Sequence, residues 1–323
     1  RDTPSSRGLG DVYKRQTEGE LNEFQTAPDV SFGPRLAYPN GDHYDYNVES
    51  KIIAAFVNLE WNLTEKTKLV TGIRGEKVDY EYETNITPGT KGRIQVAPNR
   101  SDDFTEFSPK LAINHKINDD LAIFANLSRG NRAPQTTDLY RIQSKQIPGG
   151  AKSEKLDSFE IGLRGNFSIF NLELVGFDMQ KENYFFRDSQ GFNVENGKTT
   201  HRGFEVSFLI DFNQFFQIEN STSFAEHEYD FDHSPNGIKS GNQIDSAPEL
   251  LANTRLIFMP KERTRIELEW EKIDSYPVDE RNAHFYQGHD VFNLRTKMSI
   301  NENISIGIYV NNITDKNLSL IHI

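Results

Sequence analysis

Along most of this chain apolar and polar residues alternate one for one. Phe159, Ile161, Leu163 and Phe167 stand against Ser158, Glu160, Arg164 and Asn166, and Phe204, Val206, Phe208 and Ile210 against Gly203, Glu205, Ser207 and Asp211. Ile266, Leu268 and Trp270 alternate with Arg265, Glu267 and Glu269, and Ile304, Ile306, Ile308 and Val310 with Ser305, Gly307, Tyr309 and Asn311. A period of two puts each set on one face of a β-strand. The pattern predicts about twelve strands, over 48–63, 67–83, 104–116, 121–130, 157–169, 172–187, 200–212, 215–231, 247–259, 263–275, 288–300 and 304–312, with a weak thirteenth at 30–38. No segment keeps a 3.6-residue period, so little helix is expected.

The connections come in two kinds that take turns. Thr64-Glu65-Lys66, Asn118-Asp119-Asp120, Phe170-Asn171, Asn213-Gln214, Pro260-Lys261-Glu262 and Asn301-Glu302-Asn303 are short, whereas 84–103, 131–156, 188–199, 232–246 and 276–287 are long. A meander with tight turns at one end and long loops at the other is the pattern of a transmembrane barrel. A soluble sandwich scatters its long crossovers to both ends. Aromatics gather where strands stop. Phe167, Phe170, Phe212, Phe215 and Phe216 flank the tight turns, and Tyr80, Tyr82, Tyr184, Phe185, Tyr229, Phe231 and Tyr276 sit toward the long loops, as interfacial girdles would. Aromatic capping of a soluble sheet would look similar.

Composition narrows the class. Mean hydropathy is −0.66 with 23 phenylalanines, which suits sheets with one apolar face. The longest apolar run, 52–57, is far short of the roughly 20 residues a membrane helix needs. Glu160, Arg164, Glu205, Asp211, Arg265, Glu267 and Glu269 would cost about 2–4 kcal/mol for each cation at a bilayer midplane and less for each acid, so their face must line a wet or plugged lumen. A net charge of −12 argues against a nucleic-acid partner, which wants a basic stripe. There is no cysteine, hence no disulfide, thiolate site or cysteine nucleophile. The Asn-x-Ser/Thr triplets at Asn126, Asn166, Asn220 and Asn312 fit chance on polar strand faces.

No catalytic signature emerges. There is no nucleophile elbow, no His-Glu-x-x-His helix and no phosphate-cradling glycine loop, so no enzyme activity, cofactor or metal is expected. Glu267 and Glu269 are spaced as lumen residues on one strand face, and the His-Glu-Tyr-Asp-Phe-Asp-His run at 227–233 matches no metal-loop spacing. Residues 1–16 lack a strand period, a signal-peptide core and a cap. They and 318–323 resemble translated adapter sequence, which leaves 17–317 as the expected folded unit.

One stretch breaks the meander. The strand at 121–130 runs into Arg129-Gly130-Asn131-Arg132-Ala133-Pro134, where proline lacks a ladder donor and restricts its predecessor, so pairing stops and a long loop starts. An ordered series of motifs surrounds this break. Phe107-Ser108-Pro109-Lys110-Leu111 precedes it, and Asp138-Leu139-Tyr140, Glu154-Lys155 and Glu160-Ile161-Gly162-Leu163-Arg164 follow. Asn196-Gly197, Arg202-Gly203-Phe204-Glu205, Ala247-Pro248 and Asn311-Asn312-Ile313-Thr314-Asp315-Lys316 complete it. In this order the series resembles the TonB-dependent outer-membrane receptors over about 48–317. Arg129, Gly130, Arg132, Ala133, Pro134, Gly203, Glu205, Asn312 and Asp315 carry the resemblance.

The resemblance implies an all-β, antiparallel transmembrane barrel of about 22 strands with an N-terminal plug, importing a scarce nutrient with energy relayed from TonB in a Gram-negative outer membrane. Plug and TonB box have no counterpart here, and Asn317-Leu318 stand where an aromatic final strand is usual. The strands then match about twelve of that barrel, the tenth to the twenty-first, as an open half-barrel in isolation. Ferric siderophores are the family's commonest cargo, and residues 135–156 hold neither the Asn-Pro-Asn-Leu run nor the histidine of haem receptors. Arg132, Tyr140, Arg141, Tyr276, His284 and Tyr286 in the long loops are the candidate contacts for an anionic, aromatic iron chelate. The expected partners are outer-membrane lipid, the TonB complex through the plug, and the chelate. A passive porin-like channel and a surface β-sheet binding protein remain as alternatives. In all these membrane readings Phe159, Ile161, Phe204, Phe208, Ile266 and Ile306 face lipid on the convex side, with Glu160, Arg164, Glu205, Arg265 and Glu267 on the concave side.

Overall fold

A computed structural model describes residues 5–26, 38–189, 191–261 and 263–318. In chain order the elements are β1 (Ser5–Gln25), β2 (Gly41–Asn62), β3 (Thr67–Thr84), β4 (Gly89–Lys91), β5 (Ile94–Val96), β6 (Arg100–Lys116), β7 (Leu121–Arg132), α1 (Thr136–Tyr140) and β8 (Ile142–Gln143). They continue as β9 (Glu154–Phe167), β10 (Phe170–Arg187), β11 (Asn193–Asp211), β12 (Phe216–Tyr229), β13 (Leu250–Lys261), β14 (Thr264–Ile273), β15 (Tyr276–Pro277), β16 (Phe285–Tyr286), β17 (His289–Ser299) and β18 (Ser305–Val310).

Thirteen of these make one antiparallel sheet in the order β1-β2-β3-β6-β7-β9-β10-β11-β12-β13-β14-β17-β18. Each strand pairs only with its neighbour in the sheet order. No crossover occurs, β1 and β18 do not meet, and the sheet is open among the described residues. The expected meander is present. Its first strand differs: residues 5–16, expected to lie outside the fold, form the first half of β1 and pair with β2 over Ser5↔Asn62 to Gln16↔Lys51. A ladder needs only backbone donors and acceptors, so a segment without side-chain alternation can still be a strand. The weak strand expected at 30–38 falls outside the described residues except for Tyr38.

The tight turns have a local cause. Asn118 Oδ1 accepts from the Asp120 amide at 3.0 Å, Asn213 Oδ1 from Phe215 at 2.8 Å, and Asn301 Oδ1 from Asn303 and Ile304, both at 2.9 Å. Such Asx turns satisfy the amides that leave the ladder and bend the chain back at once.

Register sorts the side chains into two faces. Cross-strand partners such as Ile161 and Ala125, Phe204 and Phe224, Leu256 and Leu268, and Met298 and Ile306 share an apolar face. Phe159, Ile161, Phe204 and Ile306 are exposed, and Phe208 and Ile266 are half-buried among same-face neighbours. They build no interior core, which excludes a sandwich. The opposite face is polar and ion-paired: Arg164 grips Glu173 with two hydrogen bonds at 2.9 and 3.0 Å, Asn126 donates to Glu160, and Arg265 pairs with Glu267.

The girdle expected near the long loops is corrected at three of its seven residues, while Tyr184, Phe185, Phe231 and Tyr276 stay half-buried. Tyr80, Tyr82 and Tyr229 are buried beneath folded loops rather than exposed at an interface. At the tight-turn end Phe167, Phe212, Phe215 and Phe216 are exposed, as expected.

Candidate functional site

Every long connection lies at one end of the sheet, and there the loops fold onto each other. The first two contribute β4, β5 and β8, which form a separate three-stranded sheet. With α1 it packs on the ends of β2 and β3, burying Tyr44, Tyr46, Val48, Tyr80, Tyr82, Ile94, Val96, Leu139, Tyr140 and Ile142 in one cluster. The tyrosine rings meet face to face or edge to face, the favoured aromatic geometries, with Tyr140 stacked on Tyr82 at 4.3 Å.

The Arg-Gly-Asn-Arg-Ala-Pro block starts this layer. Arg129 and Arg132 leave β7 on opposite faces, being three residues apart in a strand. Arg129 holds Asp157 in a bidentate pair, both contacts 2.6 Å. Arg132 donates to Glu154 at 3.0 and 3.1 Å and comes within 3.9 Å of Asp138. Glu154 is the hub, since it also takes Lys181 at 3.3 Å and the Phe185 amide at 3.0 Å. Asn131 ties the block to β6 through Phe107 O, Ala133 packs against the tyrosine cluster, and Pro134 O accepts from Tyr80 Oη at 3.0 Å. Gly130 has open space around it, so its role is not steric. Asp138 then accepts from the Gln135 amide at 3.0 Å and closes the capping box of α1.

Tyr140 is buried completely, and its hydroxyl donates to Asp102 at 2.9 Å, which Arg100 clamps. Burial, reinforced by the hydrogen bond to Asp102, pushes its phenol far above the usual range. This tyrosine positions the loop and presents no surface to a ligand. Arg141, one residue on, is half-exposed and paired with Glu23 at 2.6 Å.

The other loops interlock with the first. Gln143 donates to Gly191 O at 3.0 Å and accepts from the Asn193 amide at 2.9 Å, while Arg93 also reaches Gly191 O and lies 4.0 Å over the Phe192 ring. Asn236 donates to Asp188 at 2.6 Å, and Ser189 reaches Glu280, a carboxylate only 2% exposed. Arg281 returns to Asn236 O at 2.7 Å.

At the far side of the layer β15 pairs with β16. Tyr276 is half-buried against Tyr286 at 5.2 Å, and Tyr286 is buried with its hydroxyl 2.6 Å from His289 Nδ1. His284 is exposed and sits 2.9 Å from Asp279. Burial would raise the Asp279 carboxyl, but the amides of Ala283, His284 and Arg281 and the His284 ring outweigh it and hold the group below the usual carboxylate range.

Of the remaining motif residues, Gly203, Asn312 and Asp315 serve the backbone. A Cβ on Gly203 would lie 2.2 Å from Phe224 O and 2.7 Å from Ala225 Cα, so only glycine fits there. Glu205 is exposed on the polar face opposite Ser223. Asn312 and Asp315 both take positive φ, and Asn312 closes its turn by donating to Lys316 O at 2.8 Å and accepting from the Lys316 amide at 2.9 Å. Its own amide donates to Asn293 Oδ1, which links the turn to Glu269 of β14.

The chain alone named Glu154 only as part of a motif and gave it no partner, and it did not single out Glu280, Gln143 or Arg93, because each reads as one more polar residue in a polar stretch. Of the six loop candidates, Arg132, Arg141, Tyr276 and His284 keep surface, and Tyr140 and Tyr286 do not. No group of three or more His, Asp or Glu side chains among the described residues is arranged to hold a metal ion.

Comparison with known proteins agrees with this geometry. The family model "TonB dependent receptor-like, beta-barrel" matches residues 2–313. No curated protein sequence matches the chain. The solved structure of the ferric yersiniabactin uptake receptor FyuA from Yersinia pestis superposes with a TM-score of 0.74 at 15% identity, over 98% of this chain and 47% of that one. The ferric-catecholate import receptor Fiu from E. coli K12 gives 0.72 at 15% identity, over 97% and 48%. The ferric citrate transporter FecA gives 0.70 at 15% identity, over 98% and 52%. The chain therefore spans about half the length of these receptors. With the family model covering residues 2–313 and a thirteen-stranded antiparallel meander of the same fold, the chain belongs to the TonB-dependent receptor β-barrel family.

Proposed function

We propose that this chain is part of an outer-membrane importer that takes up a ferric siderophore with energy relayed from TonB through a plug domain. The observation that carries the reading is the loop layer, which sets the accessible cations Arg132 and Arg141 and the ring of Tyr276 at the end of a polar-lined sheet. A ferric siderophore of the anionic, aromatic kind offers charge to the guanidiniums and π faces for stacking. Tyr140 and Tyr286 act in this reading by holding the loops that carry those groups. The likeness to receptors described as importing ferric yersiniabactin, ferric catecholates and ferric citrate supports an iron chelate as cargo. Outer-membrane lipid covers the apolar face, where only strands that satisfy their own backbone can stand in hydrocarbon. The family is one of transporters and receptors, and neither an enzymatic step nor a nucleic-acid partner belongs to this reading.

The test is uptake of a radiolabelled ferric catecholate by iron-starved cells carrying the full-length gene, with and without TonB. Uptake that requires TonB is expected. Equal uptake in both strains would reject active transport in favour of a passive pore.

A further inference from the structure

Three successive long loops meet at Gly191 and Phe192, and each brings a cation there. Arg93 stands in the turn between β4 and β5, Lys145 follows β8, and Arg187 ends β10. Nη2 of Arg93, Nε of Arg187 at 2.9 Å and Nε2 of Gln143 at 3.0 Å all donate to Gly191 O. A carbonyl oxygen carries two lone pairs, so three donors exceed what it can take. Two donors on one oxygen lie no more than about 6 Å apart, which sets the two guanidiniums side by side. The Lys145 ammonium lies 4.3 Å from the centre of the Phe192 ring, over which Arg93 also lies at 4.0 Å.

The cluster is short of acceptors. Arg93 is only 3% exposed, and its Nε is buried without a hydrogen-bond partner. Ser144 stands beside it at the end of the small sheet, its amide donating to Arg93 O at 2.9 Å, and its hydroxyl is likewise buried and unpaired. None of Arg93, Lys145 and Arg187 has a carboxylate partner among the described residues. Asp188, next to Arg187 in the chain, is buried and spent, with one oxygen taken by the Phe192 amide and the other by Asn236, each at 2.6 Å. In a chain of net charge −12, three cations that meet without an acid stand out. Lys145 and Arg187 are exposed, so a solute can reach the cluster from water.

We propose that Arg93, Lys145 and Arg187 form an oxyanion site that takes a phosphate or carboxylate group of a small solute. Guanidiniums match both groups with paired N–H donors, and charge-assisted bonds of this kind are about twice as strong as neutral ones. Arg187 and Lys145 meet the anion at the surface, and Arg93 behind them supplies charge that its burial leaves weakly screened. The three cations belong to three loops, so the bound anion fastens those loops together. The site shares no residue with Arg132, Arg141 and Tyr276 and stands whether or not the protein carries an iron chelate.

The test is calorimetric titration of the full-length protein in detergent with inorganic phosphate and, separately, with citrate, at an ionic strength held constant with chloride. Saturable binding of at least one of the two is expected, phosphate alone marking a phosphate group and citrate alone a carboxylate. R187Q, at an exposed position where the fold should be unaffected, should weaken that binding about 10-fold. Hydrogen exchange of the amides at 188–193 should slow when the anion is added to the unaltered protein but not to R187Q. Saturation by neither anion, the same protection from chloride alone, or equal binding in R187Q would overturn the proposal.

Discussion

Nη2 of Arg295 lies 2.6 Å from Oε2 of Glu269, a carboxylate only 1% exposed on the polar face of the sheet. Arg255 reaches the other oxygen at 2.9 Å, and Asn253 and Asn293 add one hydrogen bond to each oxygen, at 3.0 and 3.1 Å. The acid is dehydrated while both arginines keep about a third of their surface in water.

That asymmetry sets an order of effects. Glu269→Gln leaves arginines that can turn to solvent and should cost about 1 kcal/mol. The double change Arg255→Met with Arg295→Met strands a buried carboxylate and should cost about 3–5 kcal/mol. Urea unfolding in detergent followed by tryptophan fluorescence measures both, and equal costs would show that the carboxylate is not the dehydrated partner.

Glycine positions divide in the same way by what surrounds them. Gly203→Ala forces a methyl against the Phe224 carbonyl and Ala225, where only backbone can yield, and should cost about 1–3 kcal/mol. Gly130→Ala enters open space and should stay within about 0.5 kcal/mol of the parent. Thermal melting of the two variants side by side decides.

Tyr140→Ala removes the ring at the centre of the loop cluster and should open residues 134–150 to protease, at a cost of about 3–5 kcal/mol. Tyr140→Phe keeps the ring and leaves Asp102 with Arg100, so about 1 kcal/mol is expected. Limited proteolysis at fixed temperature should show rapid loop cleavage only in the alanine variant.

Acid should loosen the loop at 276–286 before the sheet. The carboxyl of Asp279 titrates below its usual value, so its stabilisation is complete above the unfolded-state value, about 3.9, and is lost as pH falls through the depressed folded value. Hydrogen exchange of the Ala283 and His284 amides, which bond this carboxyl, should accelerate relative to the sheet as pH drops from 5 to below 3, about the range of such a loss. Asp279→Asn should remove the pH dependence.

The two faces of the sheet should tolerate charge very differently in lipid. Ile161→Arg and Leu268→Arg put a cation on the apolar face and should cost about 2–4 kcal/mol near midplane. Glu205→Lys on the polar face should be close to neutral. Refolding yield into vesicles, read by heat-modifiable gel mobility, should fall only for the first pair.

The run from Phe159 to Phe167 and the run from Phe204 to Asp211 were enough by themselves to set strand identity, facing and the meander, because a period of two survives whatever lies beside the strand. Asn118, Asn213 and Asn301 likewise announced their turns, since an Asx turn is made within three or four residues. Residues 5–16 could not be read this way: their pairing with β2 rests on backbone groups that every residue carries alike. The fate of Tyr80, Tyr82 and Tyr140 was also beyond the chain alone. An aromatic at a strand end suits a membrane interface and a buried loop core equally, and only the return of residues 134–150 over β2 and β3 decided between them. The meeting of Glu269 with Arg255 and Arg295 depends on the register between strands, which is fixed by many ladder bonds acting together and by no single residue.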